Sequence, residues 1–225
     1  MTVPFDYDAC PERYRLGMRV AGEYSSESLY EWVARLLDTP EVQIVLDVGC
    51  ADGVLCRALP PSGQRLIGLD VSATLLSAHP PPVVRADATH LPFTDGAFDA
   101  VTAVNVLYHL PDPVPALREA RRVLRPGGQL LAATISRHDS PEMAAYWRRP
   151  TTTFDAEDAP ELLAQVFPDI TMHRWDAPLV TLPSADAVRD YLVGRQAPRS
   201  VAEAAARALP APLRVTKRGA LFVAR

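Results

Sequence analysis

Little in this sequence points to a covalent or metal-built scaffold. It has three cysteines in 225 residues, Cys10, Cys50 and Cys56. That is too few for a disulfide framework and predicts a reducing compartment, the cytoplasm. The histidines at 79, 90, 109, 138 and 173 show no close ligand spacing, and Cys50 with Cys56 lacks a partner pair. No metal is expected. No apolar stretch approaches the roughly 18 residues of a membrane span, and the opening M-T-V-P-F-D-Y-D lacks a signal-peptide pattern, so no membrane partner is expected. A positive excess is missing too: 23 basic and 27 acidic residues give a formal net charge of -4. That argues against nucleic acid as a partner. The 22 prolines are scattered and form no linker tract, and no internal repeat is evident. What is plentiful is apolar surface, at 48% hydrophobic residues. It is enough for a sizeable core, and the length suits one α/β domain.

The chain is organised around residues 44–59, I-V-L-D-V-G-C-A-D-G-V-L-C-R-A-L. An apolar run ends in Asp47-Val48-Gly49, and a helix-compatible segment follows Gly53. This is how a buried parallel strand turns into a helix. Gly49 and Gly53 let the backbone bend sharply and approach a ligand closely. The unpaired amides at the helix start favour a polar or charged group. Such an element at the carboxyl end of a strand is a cofactor site in an α/β fold.

Five strands are expected up to residue 135: 44–48, 65–69, 83–86, 98–104 and 129–135. Short crossover segments between them imply a parallel, doubly wound sheet. Ahead of them come a short helix over 12–19 and an amphipathic one over 28–37. Ser72 and Asp112-Pro113 mark helix starts. Further on, Asp155 with Asp158 predicts a capped helix ending near residue 167, Ser184 caps another, and Ser200 with Glu203 reads as a capping box. Residues 170–182 are strand-like with a break near Ala177-Pro178. Two extended pieces, 213–216 and 221–224, close the chain. The whole is expected to be one domain, 1–225, with an N-terminal helical lid over 1–38 and substrate-side insertions near 137–150 and 184–210.

Acidic residues mark three strand ends: Asp47, Asp70 and Asp87. In a parallel sheet neighbouring strand ends open onto one crevice. Asp70 lies 21 residues after Gly49, a spacing that fits a carboxylate on ribose hydroxyls. The loop G-C-A-D-G is not a G-x-G-x-x-G, which weighs against a dinucleotide and a nicotinamide oxidoreductase. With Asp47 nearby it favours a nucleoside carrying a cationic tail.

The stretches V-L-D-V-G-C-A-D-G, G-L-D-V-S, A-D-A-T-H-L-P-F, F-D-A-V-T-A-V-N-V-L-Y-H-L and R-V-L-R-P-G-G, in that order, resemble a class I S-adenosylmethionine-dependent methyltransferase. More narrowly, they are similar to the small-molecule branch that includes ubiquinone and menaquinone biosynthesis methyltransferases. The resemblance is strong over residues 45–134. It implies a Rossmann-like seven-stranded sheet in order 3-2-1-4-5-7-6, with strand seven antiparallel and helices on both faces. It implies S-adenosyl-L-methionine as cofactor. Asp47 would orient the methionine amino group, often through water, and Gly49 would lie against the methionine part. Asp70 would accept from both ribose hydroxyls and Val71 would pack on the adenine. Asp87 would accept from the adenine amino group, with the Ala88 amide near a ring nitrogen. Asn105 would supply backbone near the methionine moiety. The family commonly has glycine at Ala51, so this position tolerates its methyl group only with ordinary backbone angles.

The acceptor is expected to be a small organic molecule, methylated on O, N or C, in secondary metabolism. His109, after strand four, is the candidate general base. Tyr7, Tyr14, Tyr24, Tyr108, His138, Tyr146 and Trp147 are candidate pocket walls, against the alternative of a lid packed on the core. Arg118, Arg121, Arg122 and Arg125 read as a solvated helix face rather than an RNA groove. After strand four the text is N-V-L-Y, not the N-P-P-Y or D-P-P-Y of DNA amino-methyltransferases. A non-catalytic cofactor-binding scaffold is the second reading, and monomer and homodimer both stay open.

Overall fold

A computed structural model describes residues 5–60 and 63–225, with side chains from Tyr7 onward. Residues 1–4 of the expected lid lie outside the described residues. The strands are β1 (Ile44–Val48), β2 (Arg65–Asp70), β3 (Val83–Arg85), β4 (Phe98–Val104), β5 (Leu124–Ile135), β6 (Ile170–Leu182) and β7 (Leu213–Ala224). The helices are α1 (Phe5–Asp8), α2 (Pro11–Tyr24), α3 (Leu29–Leu37), α4 (Val54–Ala58), α5 (Ala73–Leu76), α6 (Val114–Val123), α7 (Ala159–Ala164), α8 (Ala185–Gly194) and α9 (Arg199–Ala208).

The strands form one sheet in the order β3-β2-β1-β4-β5-β7-β6. Strands β1 to β5 pair in parallel, and β7 runs antiparallel to both β5 and β6. Strand order and the reversed strand are as expected. Alternation along the strands feeds two cores. Leu46, Val48, Val101 and Ala103 pack on one face with Leu117 of α6 and Leu163 of α7. Val45, Ala100, Val104 and Leu131 pack on the other with Val33 and Leu37 of α3. A third core joins Val20 of α2 to Val188 and Leu192 of α8, Ala202 of α9 and Val215 of β7. It places the N-terminal helix and the 184–210 segment together.

The caps at Ser28, Ser72 and Ser184 form: each hydroxyl accepts from the amide three residues on, at 3.3, 3.2 and 3.2 Å. Other expectations need correction. Strand β5 starts at Leu124, directly at the end of α6, and its pairing steps from Phe98–Leu124 to Ala100–Gln129. Asp158 caps α7 without a side-chain bond, because its carboxylate accepts from Arg137, while Asp155 accepts from Arg149 at 2.8 Å and from the Thr152 hydroxyl at 2.6 Å. Ser200 lies inside α9, which starts after Pro198, and Glu203 accepts from Arg199 at 3.2 Å instead of closing a capping box. The two closing pieces are one strand. Gly219 sits mid-strand because a Cβ there would lie 2.2 Å from Trp175 Cζ2. Two of the four arginines on the expected solvated face are internal ties. Arg122 binds Glu119, Asp95 and the carbonyls of Leu91 and Phe93. Arg125 pairs at 2.7 Å with Asp99, which in turn accepts from the Gln43 and Ile44 amides.

Candidate methyl-donor and acceptor site

The end of β1 meets the end of β2 through backbone bonds. The Gly49 and Cys50 amides donate to the Leu69 carbonyl at 2.7 and 3.1 Å. Gly49 has φ +72°, and a Cβ on it would lie 2.3 Å from Val106 Cγ2. Only glycine fits there, so the backbone is bare toward the crevice. Ala51 follows with φ +48°, in the left-handed region. The condition of ordinary backbone angles, on which tolerance of its methyl group depended, is therefore not met. Gly53, at φ +87°, is the cap of α4 and lies against His79.

Asp70 ties the two loops together. One carboxylate oxygen accepts from the Ala51 amide and the other from the Ser72 amide, both at 2.9 Å. Burial pushes its pKa up, while the amides of Ser72, Ala51 and Val71 pull it down. Each oxygen keeps a further lone pair for a ligand. Asp47 is buried one strand over and accepts from the Thr102 hydroxyl at 2.7 Å. Burial pushes its carboxyl up to about 7, opposed by the Thr102 bond and reinforced by Asp70. At the end of β4, Asn105 has φ +55°, and its buried Oδ1 has no hydrogen-bond partner.

These elements open on a cavity of about 980 Å³. Gly49, Asp70, Val71, Ala88 and Asn105 line it. Asp47 and Gly53 are not among its lining residues. Asp87 sits between the lining residues Ala86 and Ala88, and its Oδ1 accepts from the Thr89 amide and hydroxyl at 2.8 Å. On the acceptor side, Tyr7, Tyr14, Tyr108 and His109 line the same cavity. Tyr24, His138, Tyr146 and Trp147 are not among its lining residues. Tyr24 and Trp147 pack on the α2–α8–α9 core, and His138 and Tyr146 are exposed.

His109 ends a 3-10 turn, Leu107–His109. Its Nε2 lies 2.7 Å from the Tyr7 hydroxyl, and the two rings meet edge to face at 5.1 Å. Burial, helped by Arg149, lowers its pKa to about 4, so the ring is neutral at neutral pH. Arg149 stacks on Tyr108 at 4.6 Å. Two more bonds hold the N-terminal helices down: Tyr14 donates to Asp52 at 3.2 Å, and Ser72 donates to Asp8. Sequence reasoning missed several lining residues, among them Tyr30, Asp52, Trp175, Arg195 and Lys217. Tyr30 could have been suspected from its place in the amphipathic α3 segment. Arg195 and Lys217 carry no local signal.

The donor side fits S-adenosylmethionine on three counts. Gly49 leaves a cradle that a Cβ would fill, and Asp70 is a fixed acceptor pair. Asn105 offers a buried acceptor without a donor, suited to an ammonium group. Among the described residues no group of three or more His, Cys, Asp or Glu is arranged to hold a metal ion.

Residues 46–132 match the family profile described as methyltransferase domain. This segment is similar to a methyltransferase domain. The chain is 38% identical over 127 residues to the methyltransferase GfsG of Streptomyces halstedii, covering 51% of this chain and 44% of that protein. It is 32% identical over 145 residues to a demethylmenaquinone methyltransferase of Corynebacterium urealyticum, covering 63% of each. The chain thus matches less than half the length of GfsG. Nearly the whole chain shares its fold with the solved structure of the [4+2]-cyclase SpnF. The TM-score is 0.68 at 21% identity, over 97% of this chain and 94% of that one. No helix among the described residues is long and apolar enough to cross a membrane.

Proposed function

We propose that this protein transfers a methyl group from S-adenosylmethionine to an O, N or C atom of a small organic acceptor, as one cytoplasmic domain. The observation that carries the reading is the single cavity that joins the Gly49–Asp70–Asn105 donor set to the Tyr7–His109 pair. When bound, the cofactor supplies a methyl group already activated on a sulfonium. The protein's part is to align the acceptor and exclude water. Residues 7–38 form the cover, since α2 packs on α8 and Tyr14 reaches the donor loop.

His109 takes the acceptor's proton late. A base whose conjugate acid has a pKa of about 4 does not ionise a phenol in advance. It does accept a proton from a freshly methylated oxonium, a far stronger acid. With its own proton on Nδ1, His109 accepts the Tyr7 hydroxyl proton, so Tyr7 oxygen can take the acceptor's proton as it passes its own to His109. Asp70 and Asn105 hold the donor and take no part in proton transfer.

The test is transfer of label from methyl-labelled S-adenosylmethionine to a panel of phenols, amines and activated carbon acids. Labelled product with matching S-adenosylhomocysteine is expected. Tight S-adenosylhomocysteine binding without transfer to any acceptor would favour the scaffold reading. It would also favour a non-methylating reaction, which the fold likeness to a [4+2]-cyclase makes worth assaying.

A further inference from the structure

Part of the cavity wall is basic: Arg195, Lys217 and Arg218 line it. Two of these charges are balanced. Lys217 donates to Asp139 and lies 3.2 Å from the Tyr191 hydroxyl. Arg218 pairs with Asp176 at 2.9 Å. Arg195 differs. Its guanidinium stacks over the Tyr191 ring, 4.0 Å from the centroid, and its Nε is buried with no hydrogen-bond partner. Among the described residues it has no carboxylate within ion-pair distance. Burial raises the Asp139 carboxyl, yet Lys217, Arg195 and the local hydrogen bonds bring it below its ordinary value. Asp139 is taken by Lys217, so Arg195 is left with no counter-ion at contact distance among the described residues.

Arg195 lines the same cavity as Tyr7, Tyr108 and His109. Arg195 and Arg149 both act on the Tyr108 phenol, opposing the rise that burial causes. The Tyr108 and His109 rings are 4.4 Å apart. A guanidinium stacked on an aromatic ring keeps its in-plane N–H groups for an oxygen acceptor, and its planar fork matches a carboxylate. A buried N–H with no acceptor is costly, so a ligand that supplies one gains from it.

We infer that Arg195 recognises an anionic oxygen group on the acceptor, so that the acceptor is a small organic acid. Its carboxylate rests on Arg195 and its nucleophilic atom faces Tyr7 and His109. The inference rests on the methyltransferase reading of the same cavity.

The experiment is calorimetric titration of the full chain saturated with S-adenosylhomocysteine. The probes are 4-hydroxybenzoate, the neutral 4-hydroxybenzamide, and phenyl phosphate. The acid is expected to bind at least about tenfold tighter than the amide, as a charge-assisted bidentate contact requires. Arg195→Gln should erase that preference and Arg195→Lys should keep part of it, each with S-adenosylhomocysteine affinity unchanged. Phenyl phosphate binding above the acid would assign the site to phosphate esters and overturn the carboxylate. The inference also fails if acid and amide bind alike, if no acid binds at millimolar concentration, or if Arg195→Gln keeps the preference. A fall in S-adenosylhomocysteine affinity in Arg195→Gln would assign the guanidinium to the donor's own carboxylate, again overturning it. Absence of S-adenosylhomocysteine binding in the wild type is a separate result, and it sinks the methyltransferase reading itself.

Discussion

Ala51 holds a left-handed backbone, φ +48°, fixed by the bond from its amide to Asp70. An L-residue with a Cβ pays about 1–2 kcal/mol there, partly offset by the chain entropy that glycine loses on folding. Ala51→Gly should therefore raise stability by about 0.5–1 kcal/mol, read as a higher urea midpoint at unchanged slope. A lower midpoint would mean that the strain is relieved elsewhere.

Asp47 and His109 are displaced in opposite directions, Asp47 from 3.8 up to about 7 and His109 from 6.5 down to about 4. Between these values the folded protein holds a proton on Asp47 that the unfolded chain has lost. Asp47's contribution is thus full below pH 3.8 and is lost as pH rises through about 7. The unfolded chain holds a proton on His109 that the fold does not. His109's contribution is present above pH 6.5 and declines as pH falls toward about 4. Relative to wild type, the unfolding free energy of Asp47→Asn should rise with pH across 3.8 to about 7. That of His109→Asn should fall across about 4 to 6.5. Urea titrations at several pH values read both, and parallel profiles for all three proteins would contradict the assignments.

At the scale of elements, α2 and α8 touch backbone to backbone. A Cβ on Gly194 would lie 2.7 Å from Gly17 Cα, and one on Gly17 would lie 3.0 Å from the Gly194 carbonyl oxygen. Overpacking there forces the helices apart, so Gly194→Ala should destabilise by about 1–3 kcal/mol in chemical unfolding. No loss would show that α2 slides freely on α8. This contact was not legible in the sequence, because neither glycine sits at a turn. The strands β1 and β4 were legible to the residue, since each is a mostly apolar run buried on both faces. The Asp70 loop was legible for a similar reason: its groups come from two adjacent strand ends at fixed spacing. The start of β5, the inner position of Ser200 and the continuity of β7 were not. Each depends on a distant partner, as Gly219 depends on Trp175. The acceptor side follows the same rule. Tyr30, Arg195 and Lys217 come from α3, the α8 end and β7, and only tertiary packing brings them to one wall. Tyr146 and Trp147 looked suited to that wall by type alone, and the fold puts them elsewhere.

Over the whole molecule, on the proposed reading, the sheet is the donor floor and α2 with the end of α8 is its cover. A ligand that bridges the two must stabilise the fold by mass action, by about 2.7 kcal/mol at a hundredfold excess over Kd. The central claim is that the Gly49–Asp70 floor is a site for the methyl donor. The most direct measurement is calorimetric titration of the full chain with S-adenosylhomocysteine, in the wild type and in Asp70→Asn, which keeps the side-chain shape. Saturable one-site binding is predicted, weaker in the variant by about 1–3 kcal/mol for the lost charge-assisted bonds. No saturable binding in the wild type, or equal affinity in the variant, would contradict it.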